Sequence, residues 1–468
     1  MVPIMIKIDK NIKTPVYLQL YNQLKEEIIT KQRKAHERLP ATRTMAQDYQ
    51  LSRNTVLNAY QQLESEGFLY SKVGSGFYVE EIPRMVVPQP ITKQKPIDEH
   101  KKQTYACDFR YGSLEPNVYK SRAFRKALKD ALYTLENQSF LHDGEAQGLF
   151  SLRKAISQHL KEVRGVHAGP KQIIITNGHQ YSLKLLSEYF SPADHDLISE
   201  DPGHRDTREV FSKAGFIIHP VRVDENGIVT DELINYTHAL AYVTPSHQFP
   251  LGAILPIGRR VQLLKWAYET GSYIIEDDYD SELRYKEQPV PALFSLDSRD
   301  RVIYLGSFSK SLSPDLRVSY IVLPASISLD DETLLSSSAS LLIQLTLQKY
   351  IESGEYRKRI NQIRNVLRKK HNLILDFIDH HYANRIKVFG IGRGSHFLLQ
   401  IPTEYKEEEI IDLFHKYDVA VYPTSGYYIN PNNQTDPMIM IGYSGISLTE
   451  LPLCLEKLKT GLDAIIRS

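Results

Sequence analysis

Lys310 stands in the stretch Ser307-Phe308-Ser309-Lys310-Ser311-Leu312-Ser313-Pro314-Asp315-Leu316-Arg317. A lysine that attacks a carbonyl needs a near-neutral pKa or cationic neighbours. Hydroxyls and a guanidinium nearby suit a phosphate, supplying neutral donors and one charged fork. A reactive amine beside a phosphate cradle is the pattern of pyridoxal phosphate held as a Schiff base. The alternative on this stretch alone is a serine-rich loop with a solvated lysine. Glu276-Asp277-Asp278-Tyr279-Asp280 adds a carboxylate suited to a pyridine nitrogen and, two residues on, a phenol for a ring hydroxyl. The other readings of that acid run are a metal site or a solvated turn, and no His or Cys is spaced to complete a metal site. Thr176-Asn177-Gly178-His179-Gln180 reads as a turn opening a helix, where backbone amides bind phosphate.

These three stretches need elements to bring them together. Each follows a short apolar run: Val302-Ile303-Tyr304-Leu305, Tyr273-Ile274-Ile275 and Ile173-Ile174-Ile175. Asp196-Leu197-Ile198 and Ala239-Leu240-Ala241-Tyr242-Val243 are further runs, and residues 123–135 and 152–163 carry helical periodicity. Such alternation predicts an α/β domain with a mixed, mostly parallel sheet covered on both faces. Ligands then gather at the carboxyl ends of the strands.

The N-terminal segment, residues 1–81, has another grammar. Tyr17, Leu20, Tyr21, Leu24 and Ile28 recur at helical spacing. Leu39-Pro40-Ala41-Thr42-Arg43 opens a second helix with Thr42 as the expected N-cap, and Ser52 caps a third. Val56, Ala59, Tyr60 and Leu63 form the buried stripe of the third helix; Arg53, Asn54, Thr55 and Asn58 lie on or near its exposed first turns. Gly67 ends it, and two aromatic runs around Lys72-Val73-Gly74-Ser75-Gly76 make a hairpin. Three helices and a hairpin are a winged helix-turn-helix, whose third helix reads DNA from its N-terminal end. A polar-faced helical bundle is the plainer alternative. Residues 82–105, with Pro83, Pro88, Pro90 and Pro96 among charged and polar residues, read as a linker, and residues 106–468 as the second domain.

Bulk properties allow this plan. The chain has 468 residues, 42% hydrophobic and 24% charged, enough for about two or three domains. A net charge of +1 does not forbid a local basic surface. Cys107 and Cys454 lie far apart in sequence, so neither a disulfide framework nor a zinc cluster is expected. No signal core lies between Met1 and Lys13, and no apolar run reaches membrane length, so a cytoplasmic protein without membrane contact is expected.

The N-terminal pattern, from Leu39-Pro40-Ala41-Thr42-Arg43 through Leu51-Ser52-Arg53-Asn54-Thr55-Val56 to Gly74-Ser75-Gly76-Phe77-Tyr78-Val79, resembles the GntR superfamily of bacterial regulators. The lysine, acid and turn motifs resemble fold type I aminotransferases. With Thr244-Pro245-Ser246-His247-Gln248-Phe249-Pro250 and Glu200-Asp201-Pro202-Gly203, the whole chain resembles the MocR/GabR regulators, which fuse the two. The resemblance implies that Lys310 carries pyridoxal 5'-phosphate, that Asp277 pairs with the ring nitrogen and that Tyr279 pairs with the ring hydroxyl. It places Gly178, His179, Gln180, Ser307, Ser309 and Arg317 around the phosphate, and His204 where an aromatic stacks on the ring. It implies a homodimer, with operator DNA contacted by Thr42, Arg43, Ser52, Arg53, Asn54, Thr55, Asn58, Lys72 and Gly74. Amino-acid-sensing members carry a carboxylate-clamping arginine near an Ile-Gly-Phe/Tyr strand. Here that strand reads Met440-Ile441-Gly442-Tyr443 and lacks it. Arg205 and Arg393 are the substitutes expected to hold an effector. The effector classes left open are an amine or amino acid, a peptide-like molecule, or the cofactor itself. The expected function is a cofactor-dependent transcriptional regulator, not an enzyme. An active aminotransferase with an accessory DNA-binding domain is the second reading. A structural dimer binding neither cofactor nor DNA is the third, and the intact lysine motif argues against it.

Overall fold

The computed structural model describes residues 6–9, 12–81, 104–112, 117–137, 146–285, 290–329, 339–383, 385–430 and 437–466. The expected linker, residues 82–105, lies outside them except for its last two residues. The chain divides into two compact units, Met1–Gln103 and Thr104–Ser468.

In the first unit, helices span Val16–Ile29, Thr42–Asp48 and Arg53–Ser65, and strands Leu69–Lys72 and Gly76–Val79 pair antiparallel. Leu20, Leu24 and Ile28 from the first helix meet Val56, Ala59, Tyr60 and Leu63 from the third, all buried. Helical periodicity therefore puts one apolar stripe per helix into a common core. Ser52 caps the third helix, its Oγ accepting from Thr55 N at 3.0 Å. The second helix departs from the expectation. Its N-cap is Ala41, with no side-chain cap bond, and Thr42 already has helical backbone as the first residue. Glu66 at the end of the third helix accepts from Lys25 at 2.7 Å and from Tyr21, pinning it to the first helix.

The second unit is built on an eight-stranded sheet. Its order is Ile173–Thr176, Ser319–Val322, Val302–Ser307, Tyr273–Asp278, Leu240–Val243, Leu197–Asp201, Ile218–Asp224 and Gly227–Ile228. Ser319–Val322 and Gly227–Ile228 run antiparallel to their neighbours; the other pairings are parallel. Alternate side chains go to opposite faces. Ile173 and Ile175 join one core and Ile174 another; Tyr304 and Ile303 divide likewise. Both faces are buried, which explains the near-continuous apolar runs. A smaller antiparallel sheet, ordered Lys387–Phe389, His396–Gln400, Met438–Gly442 and Tyr422–Pro423, has its own core with the Leu451–Ile465 helix.

One expectation fails here. Cys107 and Cys454 are joined as a disulfide, with Cα atoms 5.3 Å apart across 347 residues of chain. Cys107 lies on a short strand and Cys454 on the last long helix, and both belong to the small sheet's core. The fold closes a separation that sequence spacing does not reveal.

Candidate functional site

Strand register assembles the expected phosphate cradle. Ser307 is opposite Ser319, and Ser319 is opposite Thr176, across three adjacent strands. The turn at Asn177 and Gly178, the Ser307–Ser309 stretch and Arg317 thereby share one sheet end. Ser309 N donates to Ser307 Oγ at 3.1 Å, and the two hydroxyls are 3.0 Å apart. Gly178 caps the His179–Tyr189 helix with φ at +87°, and a Cβ there would meet the Arg317 guanidinium at 3.1 Å. Arg317 itself is exposed and left-handed, φ +51°. Ser319 Oγ is buried with no hydrogen-bond partner among the described residues. The register, not a motif, marks that hydroxyl.

Lys310 lies over the ring of Tyr111, its Nζ 3.5 Å from the centroid. Burial pulls its ammonium down to about 8, with Asp280 and Asp277 opposing. Asp277 ends the Tyr273–Asp278 strand and is 3% exposed. It accepts a hydrogen bond from the Tyr242 hydroxyl, with His179 Nε2 at 3.6 Å and His204 Nε2 at 3.9 Å. Burial raises the carboxyl; His179 and Tyr242 hold it down. The His179 side chain thus faces the acid, not the cradle, and Gln180 donates to Asp206 at 3.1 Å. Their backbone amides, at the helix start, remain the groups suited to phosphate.

The Tyr279 hydroxyl is 3.0 Å from His247 Nδ1, which also contacts Asp280 Oδ2 at 2.8 Å. Sequence reasoning missed Tyr242, Tyr111 and His247, which act through tertiary contact. His204 stacks on Phe249, centroids 4.1 Å apart and planes within 10°. Burial holds its imidazole well below the usual range, so it is neutral, and its Nε2 has no hydrogen bond among the described residues. Met440 is 1% exposed and sits in an apolar cluster with Phe249, Tyr279, Leu398 and Met438. Neither expected substitute arginine joins that cluster. Arg205 is on an exposed face and pairs with Glu209 at 2.6 Å. Arg393 is buried and donates to the Ser246 carbonyl at 2.7 Å.

The acid run divides its labour. Glu276 accepts from Leu293 N and Phe294 N, each at 2.8 Å, while Asp278 takes Arg164 Nε at 2.7 Å. Among the described residues no His/Cys/Asp/Glu group could hold a metal ion. The donor set fits pyridoxal phosphate. A buried carboxylate, an amine with a lowered pKa, orphaned His204 Nε2 and Ser319 Oγ, and a glycine cradle under a guanidinium lie at neighbouring strand ends.

On the first unit, Arg43, Arg53, Asn54 and Asn58 are exposed and Thr42 is half-buried. Ser52 and Thr55 bond each other at the helix cap, 2.7 Å between hydroxyls. Lys72 lies along the wing, its Nζ 5.0 Å from the Tyr78 ring centroid, and Gly74 sits in the hairpin turn at φ +74°. Arg38, not singled out from sequence, bridges through its backbone to Tyr78, and its guanidinium lies beside Gly76 of the wing.

Residues 16–79 match the model described as bacterial regulatory proteins, gntR family, and residues 112–395 the model for aminotransferase class I and II. The chain is 37% identical over 466 residues to the uncharacterized HTH-type transcriptional regulator YhdI of Bacillus subtilis (strain 168), covering 98% of each. It is 29% identical over 460 residues to the probable rhizopine catabolism regulatory protein MocR of Rhizobium meliloti, covering 94% of this chain and 92% of that one. The chain belongs to the MocR/GabR-type regulators. In solved structures this regulator's larger unit shares its fold with an archaeal alanine:glyoxylate aminotransferase. The TM-score is 0.70 at 23% identity, over 78% of this chain and 92% of that one. The MocR-type assignment covers both units, so the helix-turn-helix and the aminotransferase-like fold are parts of one transcriptional regulator.

In this MocR-type chain the cradle should be intolerant of side chains. Gly178→Ala forces a residue into a region essentially reserved for glycine, costing about 1–3 kcal/mol, and pushes on Arg317. We expect cofactor affinity to fall about tenfold or more. Equilibrium dialysis against pyridoxal phosphate checks this; unchanged affinity contradicts the cradle.

Proposed function

We propose that this regulator holds pyridoxal 5'-phosphate on Lys310 and uses it to sense an amine, not to turn one over. When bound, the cofactor supplies an aldehyde with which a lysine or an effector amine condenses. Lys310 is the amine to be displaced. Asp277 supplies the carboxylate that a protonated ring nitrogen needs, and Tyr279 the phenol for the ring hydroxyl. Gly178, Ser307, Ser309, Ser319 and Arg317 hold the phosphate, with the backbone amides of His179 and Gln180. His204, stacked on Phe249, would cover the ring.

The observation that carries this reading is Met440. A transaminase must fix a substrate carboxylate to orient the bond that breaks. Here an apolar cluster occupies the strand where a clamp is expected, and Arg205 is paired on the surface. Amine exchange without orientation is enough for a switch whose two states differ in affinity for DNA. The HTH-type pyridoxine biosynthesis transcriptional regulator PdxR of Corynebacterium glutamicum, 32% identical over 341 residues, supports the cofactor itself as a second candidate signal. A peptide-like effector is compatible with the same apolar cluster. We place the protein in the cytoplasm as a homodimer on operator DNA; no helix among the described residues is long and apolar enough to cross a membrane.

The test follows the visible spectrum during titration with amino donors, alongside keto-acid release over many hours. We expect a spectral change with at most a single equivalent of product. Sustained multiple turnover would favour the aminotransferase reading.

A further inference from the structure

Behind the acid run, three arginines converge on a small cavity. Arg164, Arg284 and Arg393 line it with Ser246, His247, Asp280, Ser281 and Val290. Arg284 and Arg393 also pair as an isolated antiparallel bridge, which fixes their backbones side by side. Three guanidinium groups cannot shed their protons under ordinary conditions. Two carboxylates lie near: Asp278 takes Arg164 Nε on Oδ2 at 2.7 Å, its buried Oδ1 having no hydrogen-bond partner among the described residues, and Asp280 takes His247 Nδ1 at 2.8 Å. Arg164 spends its other donors on Ser246 Oγ at 2.6 Å and the Val290 carbonyl. Arg393 donates to the Ser246 carbonyl at 2.7 Å. The side chain of half-buried Arg284 makes no hydrogen bond or ion pair among the described residues. Burial first, then Arg164 and Arg364, press its guanidinium down to about 10, with Asp278 opposing and Arg393 adding to the pressure. A partly buried cation facing other cations is destabilising unless a counter-ion arrives.

We propose that Arg284, together with Arg393 and Arg164, forms a site for one monatomic anion, a halide. Its donors come from two chain segments and a buried helix end, so the site is built into the fold. The free space is only about 10 Å³, about the room that one water needs and far below the roughly 300–1,000 Å³ in which whole small-molecule ligands sit. The class is therefore a single monatomic ion. Arg164, Asp280 and Ser281 also line the cavity that contains Lys310. An anion at Arg284 thus sits across one wall from the lysine. The site exists whether or not Lys310 carries a cofactor.

The full-length protein, as purified and again after cofactor removal, is melted in chloride, in acetate and in isethionate at fixed ionic strength. Acetate and isethionate are both too bulky for the cavity. We expect the wild-type Tm to rise with chloride by about 2–4 °C per tenfold increase once the site fills, and to stay flat in acetate and in isethionate. A rise in acetate equal to that in chloride overturns the halide assignment. Arg284→Gln should melt no lower than wild type in isethionate, because it removes the uncompensated charge, and should lose the anion dependence. Crystals soaked in bromide give a second reading that needs no variant: an anomalous peak between Arg284 and Arg393. Equal wild-type melting in all three salts, an anion dependence that persists in Arg284→Gln, or no bromide at Arg284 overturns the proposal.

Discussion

Lys310→Ala should abolish the visible absorbance of a lysine-linked cofactor completely, and borohydride should then trap nothing on the protein. The lysine earns this weight from its surroundings. At a pKa of about 8, about a tenth of the amine is neutral and nucleophilic at pH 7. An exposed lysine, near 10.4, offers far less. Burial lowers the value, while Asp280 and Asp277 keep it from falling further. Below about pH 8 the fraction of reactive amine shrinks tenfold per pH unit, so cofactor capture by the apoprotein should slow as pH falls. The alanine variant leaves Asp277 and the cradle in place, so it should still bind the cofactor non-covalently and weakly. A visible band that survives in the variant, with borohydride trapping on another lysine, contradicts the assignment.

Arg53→Ala should weaken operator binding by about 1–3 kcal/mol, concentrated at one base position. Arg53 is the first residue of its helix and exposed, and its side chain makes no intramolecular hydrogen bond among the described residues. Its neighbours behave differently. Ser52 and Thr55 are joined at the cap, so Ser52→Ala should cost about 1 kcal/mol of helix stability before any effect on DNA. Lys72 packs along Tyr70 and Tyr78 with its ammonium exposed, which suits a phosphate contact. Lys72→Ala should weaken all sequences alike and lower the salt slope by about one. Binding isotherms at two salt concentrations separate the three. If Arg53→Ala leaves operator affinity and its base preference unchanged, the exposed end of the third helix does not read DNA.

What was legible in the sequence was local. Ser52 as a cap, the apolar stripe of Val56, Ala59, Tyr60 and Leu63, and the hairpin each follow from neighbours a few residues apart. Lys310, Asp277 and Gly178 were legible because each directly follows or ends an apolar strand, and strand ends of a mixed sheet meet at one edge. What was not legible depends on partners far along the chain. Ser319 enters the cradle through register with Ser307 and Thr176. Tyr242 reaches Asp277 across 35 residues, and the Cys107–Cys454 pair spans 347. Direction was equally hidden. His179 turns to Asp277, Arg205 to Glu209 and Arg393 to Ser246, because helix face and backbone bridging set where a long side chain goes. Thr42 misses the cap by one position, since Ala41 holds the extended conformation in front of the helix.

The most direct measurement is operator binding by the full-length protein, footprinted with and without pyridoxal phosphate and a panel of amines, for wild type and Lys310→Ala side by side. We expect the wild-type footprint or affinity to change when the cofactor is bound or when an effective amine is added, and Lys310→Ala to bind the same operator but no longer respond to the amine. Wild-type footprints indifferent to the cofactor and to every amine, or an undiminished amine response in Lys310→Ala, would contradict that expectation.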